Sequence, residues 1–185
     1  FVFIGCVNHV WIATIFEKKL FQFQTAIDAY RDFIDRYPRT RQSRLATSRL
    51  SALEKLKKRG ELEDYSYFKK LEARYYQSEL SDEGGSKTAL EIAGELSEFA
   101  RARPKLSFIE EVMERVTRIY MQYEDYFRAR RAWEILMNVA DNPGLYRQAG
   151  VYIAKELKRK IIYWIGLAYM LVIIGITLVR CRWRR

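Results

Sequence analysis

The sequence predicts an all-α protein with one helix long enough to cross a membrane, on three observations. In 185 residues there are only 3 Pro and 9 Gly, too few turn residues for an all-β sandwich. No stretch sustains the apolar/polar alternation of a strand. From Ile161 to Val179 the chain reads IIYWIGLAYMLVIIGITLV, without a charged residue. At about 1.5 Å per residue that run approaches the ~30 Å thickness of a bilayer core.

Residues 1–16, FVFIGCVNHVWIATIF, form an apolar N-terminal segment shorter than a full span and interrupted by Asn8 and His9. Three readings fit it: the end of a transmembrane helix, the first repeat helix of a soluble domain, or the tail of a signal sequence. Phe3-Ile4-Gly5-Cys6 loosely resembles a lipobox, with Phe3 a poor fit at its first position. Residues 17–144 then read as a helical domain. Breakers at Tyr37-Pro38, Gly60, Gly84-Gly85, Arg103-Pro104 and Asn142-Pro143-Gly144 divide it into helices of about 15–20 residues with short connections. Ser107-Phe108-Ile109-Glu110 has the spacing of a capping box, in which hydroxyl and carboxylate satisfy free N–H groups of a first helical turn.

Residues 145–160 are expected to form a capping or juxtamembrane helix, beginning near Tyr146 and using Val151, Ile153 and Ala154 as its apolar face. It would continue unbroken into the 161–179 span, and 180–185 would be a basic tail. Tyr163, Trp164 and Trp183 stand where an aromatic belt would place them. Lys155, Lys158, Arg159 and Lys160 precede the run, and Arg180, Arg182, Arg184 and Arg185 follow it. Four basic residues on each side leave the positive-inside rule tied.

Helix pairs with short connections call for a search for repeats. In FQFQTAIDAYRDFIDRYPRT, Ala26, Tyr30 and Pro38 have the spacing of a small residue, an aromatic and a helix stop in a second repeat helix. YMQYEDYFRARRAWEILMNVADNP repeats the arrangement with Tyr126, Ala129, Trp133 and Pro143. In both stretches the chain resembles the tetratricopeptide-repeat (TPR) family, and AIDAYRDFIDRYPRT is similar to divergent repeats of bacterial envelope proteins. The first-helix Trp-x2-Leu-Gly of that family is replaced by Val10, Ala13 and Thr14 in one stretch and by Met113, Val116 and Thr117 in the other. Residues 41–119 match by helical pattern alone. The resemblance implies a TPR-like solenoid of helical hairpins whose concave face binds a peptide or a partner helix.

Catalytic constellations do not emerge. His9 has no second His or carboxylate cluster beside it, so a helix-interface role is favoured over a metal, pigment or haem contact. Cys6 and Cys181 lie at opposite ends, with neither metal-ligand nor disulfide spacing; an inert thiol is favoured over acylation at Cys181. Gly84-Gly85-Ser86-Lys87-Thr88 superficially resembles a phosphate loop but lacks its first glycine and a preceding strand. A helix–helix turn with Ser86 as N-cap explains it better. No enzyme activity, cofactor or metal is expected.

The formal charge is +10. Between Arg39 and Arg59 eight Lys or Arg face only Glu54, and the following stretch to Glu83 is acidic. Paired, solvated faces are the first reading, acidic partners or lipid headgroups the second, and nucleic acid the last, because that helix has no aromatic residue. Tyr65, Tyr67, Phe68, Tyr75 and Tyr76 form the densest aromatic cluster and are the expected protein-binding residues, although half of them must pack internally. The function expected is a non-catalytic scaffold or accessory subunit anchored in a membrane, binding other proteins of a larger complex at the bilayer surface. A tail-anchored adaptor recruiting soluble clients is the alternative. A bacterial inner membrane with the helical domain in the periplasm is favoured over an organelle membrane.

Overall fold

A computed structural model describes residues 2–80 and 85–182, with side chains from residue 10 to residue 174 and at Ile176 within those ranges. Among them the secondary structure is helical throughout: α1 (Val2–Lys18), α2 (Phe23–Arg36), α3 (Arg41–Lys58), α4 (Leu62–Glu79), α5 (Gly85–Ala102), α6 (Ile109–Gln122), α7 (Tyr126–Val139), a 3-10 turn (Pro143–Tyr146) and α8 (Arg147–Arg182). The chain divides into two compact units, Phe1–Val112 and Met113–Arg185.

In the first unit α1 packs on α2, α2 on α3, and α4 on α5. Ala13 and Ala26 are both fully buried beside Ile27, Tyr30 and Phe33. Small buried residues on both helices let α1 and α2 pack closely, with the buried Tyr30 in the same cluster. α5 buries Ala89, Ile92, Ala93, Leu96, Phe99 and Ala100, a stripe at spacings of three and four residues that turns one face inward. Aromatic rings close the interior. Tyr65 lies 5.1 Å from both Phe23 and Phe108, and Phe68 stacks on Phe108 at 5.9 Å.

The ends of α3 have separate causes. At its start Thr40 Oγ1 accepts from the Ser43 N–H (3.1 Å) while Ser43 Oγ accepts from the Thr40 N–H (3.0 Å), a capping box with Ser in the place of Glu. At its end Gly60 adopts φ 73°, and the Gly60 and Glu61 N–H groups donate to Lys57 and Leu56 carbonyls at 3.0 Å. This is a Schellman stop, in which glycine avoids the steric cost of the left-handed region.

Ser107, expected to cap α6, donates from both its hydroxyl and its N–H to the Glu61 carboxylate, fastening the approach to α6 onto the start of α4. Ser86 as N-cap is corrected, since α5 begins at Gly85 and Ser86 lies inside its first turn.

In the second unit the 3-10 turn leads into α8, which runs unbroken from Arg147 to Arg182. Its packed face differs from the expectation. Ile153 and Leu157 are buried, whereas Val151 is 71% exposed and Ala154 also faces outward. Gly150 is buried because the Trp133 indole occupies the place where a side chain would stand, and Trp133 Nε1 donates to the Tyr146 carbonyl at 2.9 Å.

The two stretches that resemble TPR helices share local geometry. Phe23, Ala26, Tyr30 and Phe33 on α2 correspond at one constant spacing to Tyr126, Ala129, Trp133 and Leu136 on α7. The residue two before each helix is left-handed, Phe21 at φ 52° and Glu124 at φ 57°. Neither is glycine, and each has its carbonyl bound by a side chain from another helix of its own unit. Ser66 Oγ donates to Phe21 O at 2.8 Å, and Lys160 Nζ donates to Glu124 O at 2.7 Å.

Beyond Lys160, α8 is exposed on all sides along its described length, including Ile162 (59%), Trp164 (63%), Met170 (58%) and Val172 (58%). Among the described residues no helix is long and apolar enough to cross a membrane. The span expected over 161–179 is thus not found there: described side chains in this run are those of residues 161–174 and Ile176, short of the ~20 a span needs.

Candidate partner-binding groove

α4 and α5 lie side by side and leave a groove of about 500 Å³, lined by Glu63, Asp64, Tyr67, Glu95, Glu98, Phe99, Ala102 and Arg103. The floor is aromatic. Tyr67, 44% exposed, packs against the buried Phe99 ring at 5.3 Å, and the Arg103 guanidinium lies over that ring at 5.3 Å. The walls are acidic. Asp64 is engaged by Arg103 Nε (2.8 Å) and Glu95 by Arg74 (3.2 Å), while Glu63 and Glu98 have no ion-pair partner among the described residues. An aromatic floor between carboxylate walls can hold a side chain with an apolar stem and a cationic head.

The five aromatics expected to bind protein separate into different roles. Tyr67 lies in the groove. Phe68 and Tyr75 are buried and Tyr65 is half-buried in the aromatic cluster, so these three hold the unit together. Tyr75 also donates to Glu79 at 2.6 Å. Tyr76 is 46% exposed and leans on the Tyr75 ring at 5.4 Å. Glu95, Glu98, Phe99 and Arg103 were not among the expected binding residues. A usable signal existed: Glu63 and Tyr67 on α4, and Glu95 and Phe99 on α5, repeat one acid–aromatic spacing of a single helical turn.

Beneath the aromatic cluster lies an ionic one. Lys69 Nζ contacts Glu111 (2.5 Å) and Glu72 (2.9 Å) and sits 4.7 Å from the Phe68 ring. Burial alone would lower its pKa; the hydrogen bonds to Glu111 and Glu72 outweigh it and raise the value to about 12. Tyr30 donates to Glu17 at 2.6 Å, and burial followed by this bond pushes its pKa up to about 12.

Both protonated forms are therefore held more tightly in the folded chain than in the unfolded one. Their stabilisation is complete below about pH 10 and is lost as pH rises through about 12. The urea midpoint is expected to fall over that window, and by less in Tyr30→Phe, which removes one titrating group. Equal falls in the two proteins would contradict this account of Tyr30.

The expected membrane-interface residues are also distributed. Tyr163 and Trp164 are exposed and lie edge to face at 6.2 Å. Lys158 and Arg159 are exposed, Arg159 pairing with Glu156 at 3.3 Å. Lys160 is engaged within its own unit, by the Glu124 carboxylate (3.1 Å) and over the Tyr126 ring (5.0 Å). Trp183 lies outside the described residues, as do the side chains of Arg180, Arg182, Cys6, His9 and Cys181.

Among the described residues no ion pair joins the basic stretch from Arg39 to Arg59 to the acidic stretch that follows it. Asp64, Glu72 and Glu61 are taken by Arg103, Lys69 and Ser107 instead. Within the basic stretch, Arg49 pairs with Glu17 on α1 (3.5 Å) and Glu54 with Arg31 on α2 (2.6 Å). Among the described residues no group of three or more His, Cys, Asp or Glu is placed to hold a metal ion. No protein-family model, curated protein or solved structure matches the chain.

Proposed function

We propose that the chain is a non-catalytic, membrane-anchored scaffold or accessory subunit with TPR-like hairpins, binding partner proteins of a larger membrane complex. The observation that carries this reading is the exposed apolar length of α8. From Ile161 onward the described side chains stand open on every side of the helix, in a run whose sequence holds no charge through Val179. Apolar surface on that scale is unfavourable in water, at about 25 cal/mol for each Å². A hydrocarbon core removes that cost, and the exposed Tyr163 and Trp164 suit its headgroup boundary. The matched positions of α2 and α7 support the TPR-like reading.

Partner binding is assigned to the α4–α5 groove, with Tyr67 as its anchor and Glu63 and Glu98 as free carboxylates for a basic side chain. Affinity purification of the full chain from membranes in mild detergent is expected to recover a stoichiometric partner. Tyr67→Ala is expected to lower the recovery about tenfold, in the range of a modest aromatic hot spot. Recovery of the chain alone would contradict the subunit reading, and undiminished recovery with Tyr67→Ala would move the contact away from the groove.

A further inference from the structure

The outer face of α3 is a line of unpaired cations. Arg41, Arg44, Ser48, Ala52, Lys55 and Arg59 recur at spacings of three and four, opposite the buried Ser43, Ala46 and Leu53. All four charged members are exposed, and among the described residues none has an ion-pair partner. The same holds for Arg39, Lys57 and Lys58 around the helix ends. Ser48 and Ala52 keep the middle of the line low, and Leu45, 65% exposed, borders it. Like charges spread over about 27 Å of helix repel one another and weaken the fold. No carboxylate of α4 turns back to offset them.

We propose that this face of α3 docks on the anionic headgroup layer of a lipid bilayer. Charge complementarity selects the surface, and the form of the face selects lipid over an acidic protein. A protein partner that binds tightly needs an aromatic or apolar anchor in a desolvated pocket, and α3 has no aromatic residue and a smooth centre. A headgroup layer needs only a row of cations, each tightening attachment about fivefold, with a small apolar residue able to dip beside them. Leu45 is that residue. The inference goes beyond the anchoring of α8 and shares with it only the bilayer.

The test uses the full chain with Cys6→Ser, Cys181→Ser and Leu45→Cys, carrying an environment-sensitive fluorophore at position 45. The protein is reconstituted in nanodiscs of phosphatidylcholine, with or without phosphatidylserine, containing headgroup-quencher lipids. Quenching is expected in the anionic discs, is absent in the zwitterionic discs, and is reversed at about 1 M salt, where screening acts within about 3 Å. Replacing Arg41, Arg44, Lys55 and Arg59 together by Gln should lower the docked-to-free ratio at least about a hundredfold. A label at Leu80→Cys, exposed at the end of α4, should stay unquenched.

No quenching at position 45 in anionic discs, equal quenching in both lipids, or quenching at both labels overturns the proposal. So does displacement from anionic discs by a random DNA duplex at equal phosphate, which would assign the face to nucleic acid. Carbonate extraction of the same samples reads the anchoring separately. An extractable chain that still docks its Leu45 label supports the α3 proposal and removes the α8 reading.

Discussion

The pair Leu167→Arg and Leu171→Arg is expected to move the chain from the carbonate-resistant membrane fraction into the supernatant. Both side chains are exposed and lie one turn apart near the middle of the apolar run of α8. An arginine at the centre of a membrane helix costs about 2.5–3.5 kcal/mol on an insertion scale. Two together cost roughly 5–7 kcal/mol, a factor of a thousand or more in partition. The volume-conserving pair Leu167→Ile and Leu171→Ile should remain with the membrane. Retention of the double-arginine variant would show that the run is held by something other than lipid.

Gly150→Ala should destabilise the second unit by about 2–3 kcal/mol, toward the upper end of the range for overpacked interiors. A Cβ at this position would stand 2.3 Å from Trp133 Cζ2 and 2.5 Å from its Cε2. The ring cannot slide aside freely, because its Nε1 is committed to the Tyr146 carbonyl that starts α8. The variant must therefore bend α8 away from α7 or break that bond. Thermal unfolding by near-ultraviolet circular dichroism reads the loss. Trp133→Phe placed on the Gly150→Ala background should recover part of it, since the smaller ring vacates the contact. A Gly150→Ala protein as stable as its parent would contradict the close packing.

Glycine and proline made most helix ends legible: Pro38, Gly60, Gly85 and Pro104 all fall at or between observed elements. The turns before α2 and α7 were not legible, because their left-handed residues are Phe21 and Glu124. Local preference disfavours that conformation for both, and contacts remote in sequence stabilise it: Ser66 holds one carbonyl and Lys160 the other. Lys160 thus serves a turn of its own unit, where its position beside the apolar run had suggested a headgroup. Ser107 has a contact of the same kind: its hydroxyl donates to Glu61, remote in sequence, once the chain has folded.

The aromatic cluster was half legible. Phe68, Leu71, Tyr75 and Ser78 form the buried stripe of α4 at spacings of three and four, from which Tyr67 and Tyr76 deviate. Helical periodicity applied to that segment separates the packing rings from the available one. The partner of Tyr67 on α5 requires knowledge of how the two helices pair, which composition and spacing within one helix do not contain.

Hydrogen exchange of the full chain in lipid nanodiscs, resolved by mass spectrometry, tests the anchoring most directly. Backbone amides in the middle of a lipid-embedded helix have no water to exchange with, so peptides within 161–179 should stay protected for hours. Peptides from 147–158, which the membrane-anchored reading leaves in water on the same continuous helix, should exchange at the rate of an ordinary packed helix. Exchange within 161–179 as fast as in 147–158, in a chain that otherwise remains folded, would contradict the membrane anchor.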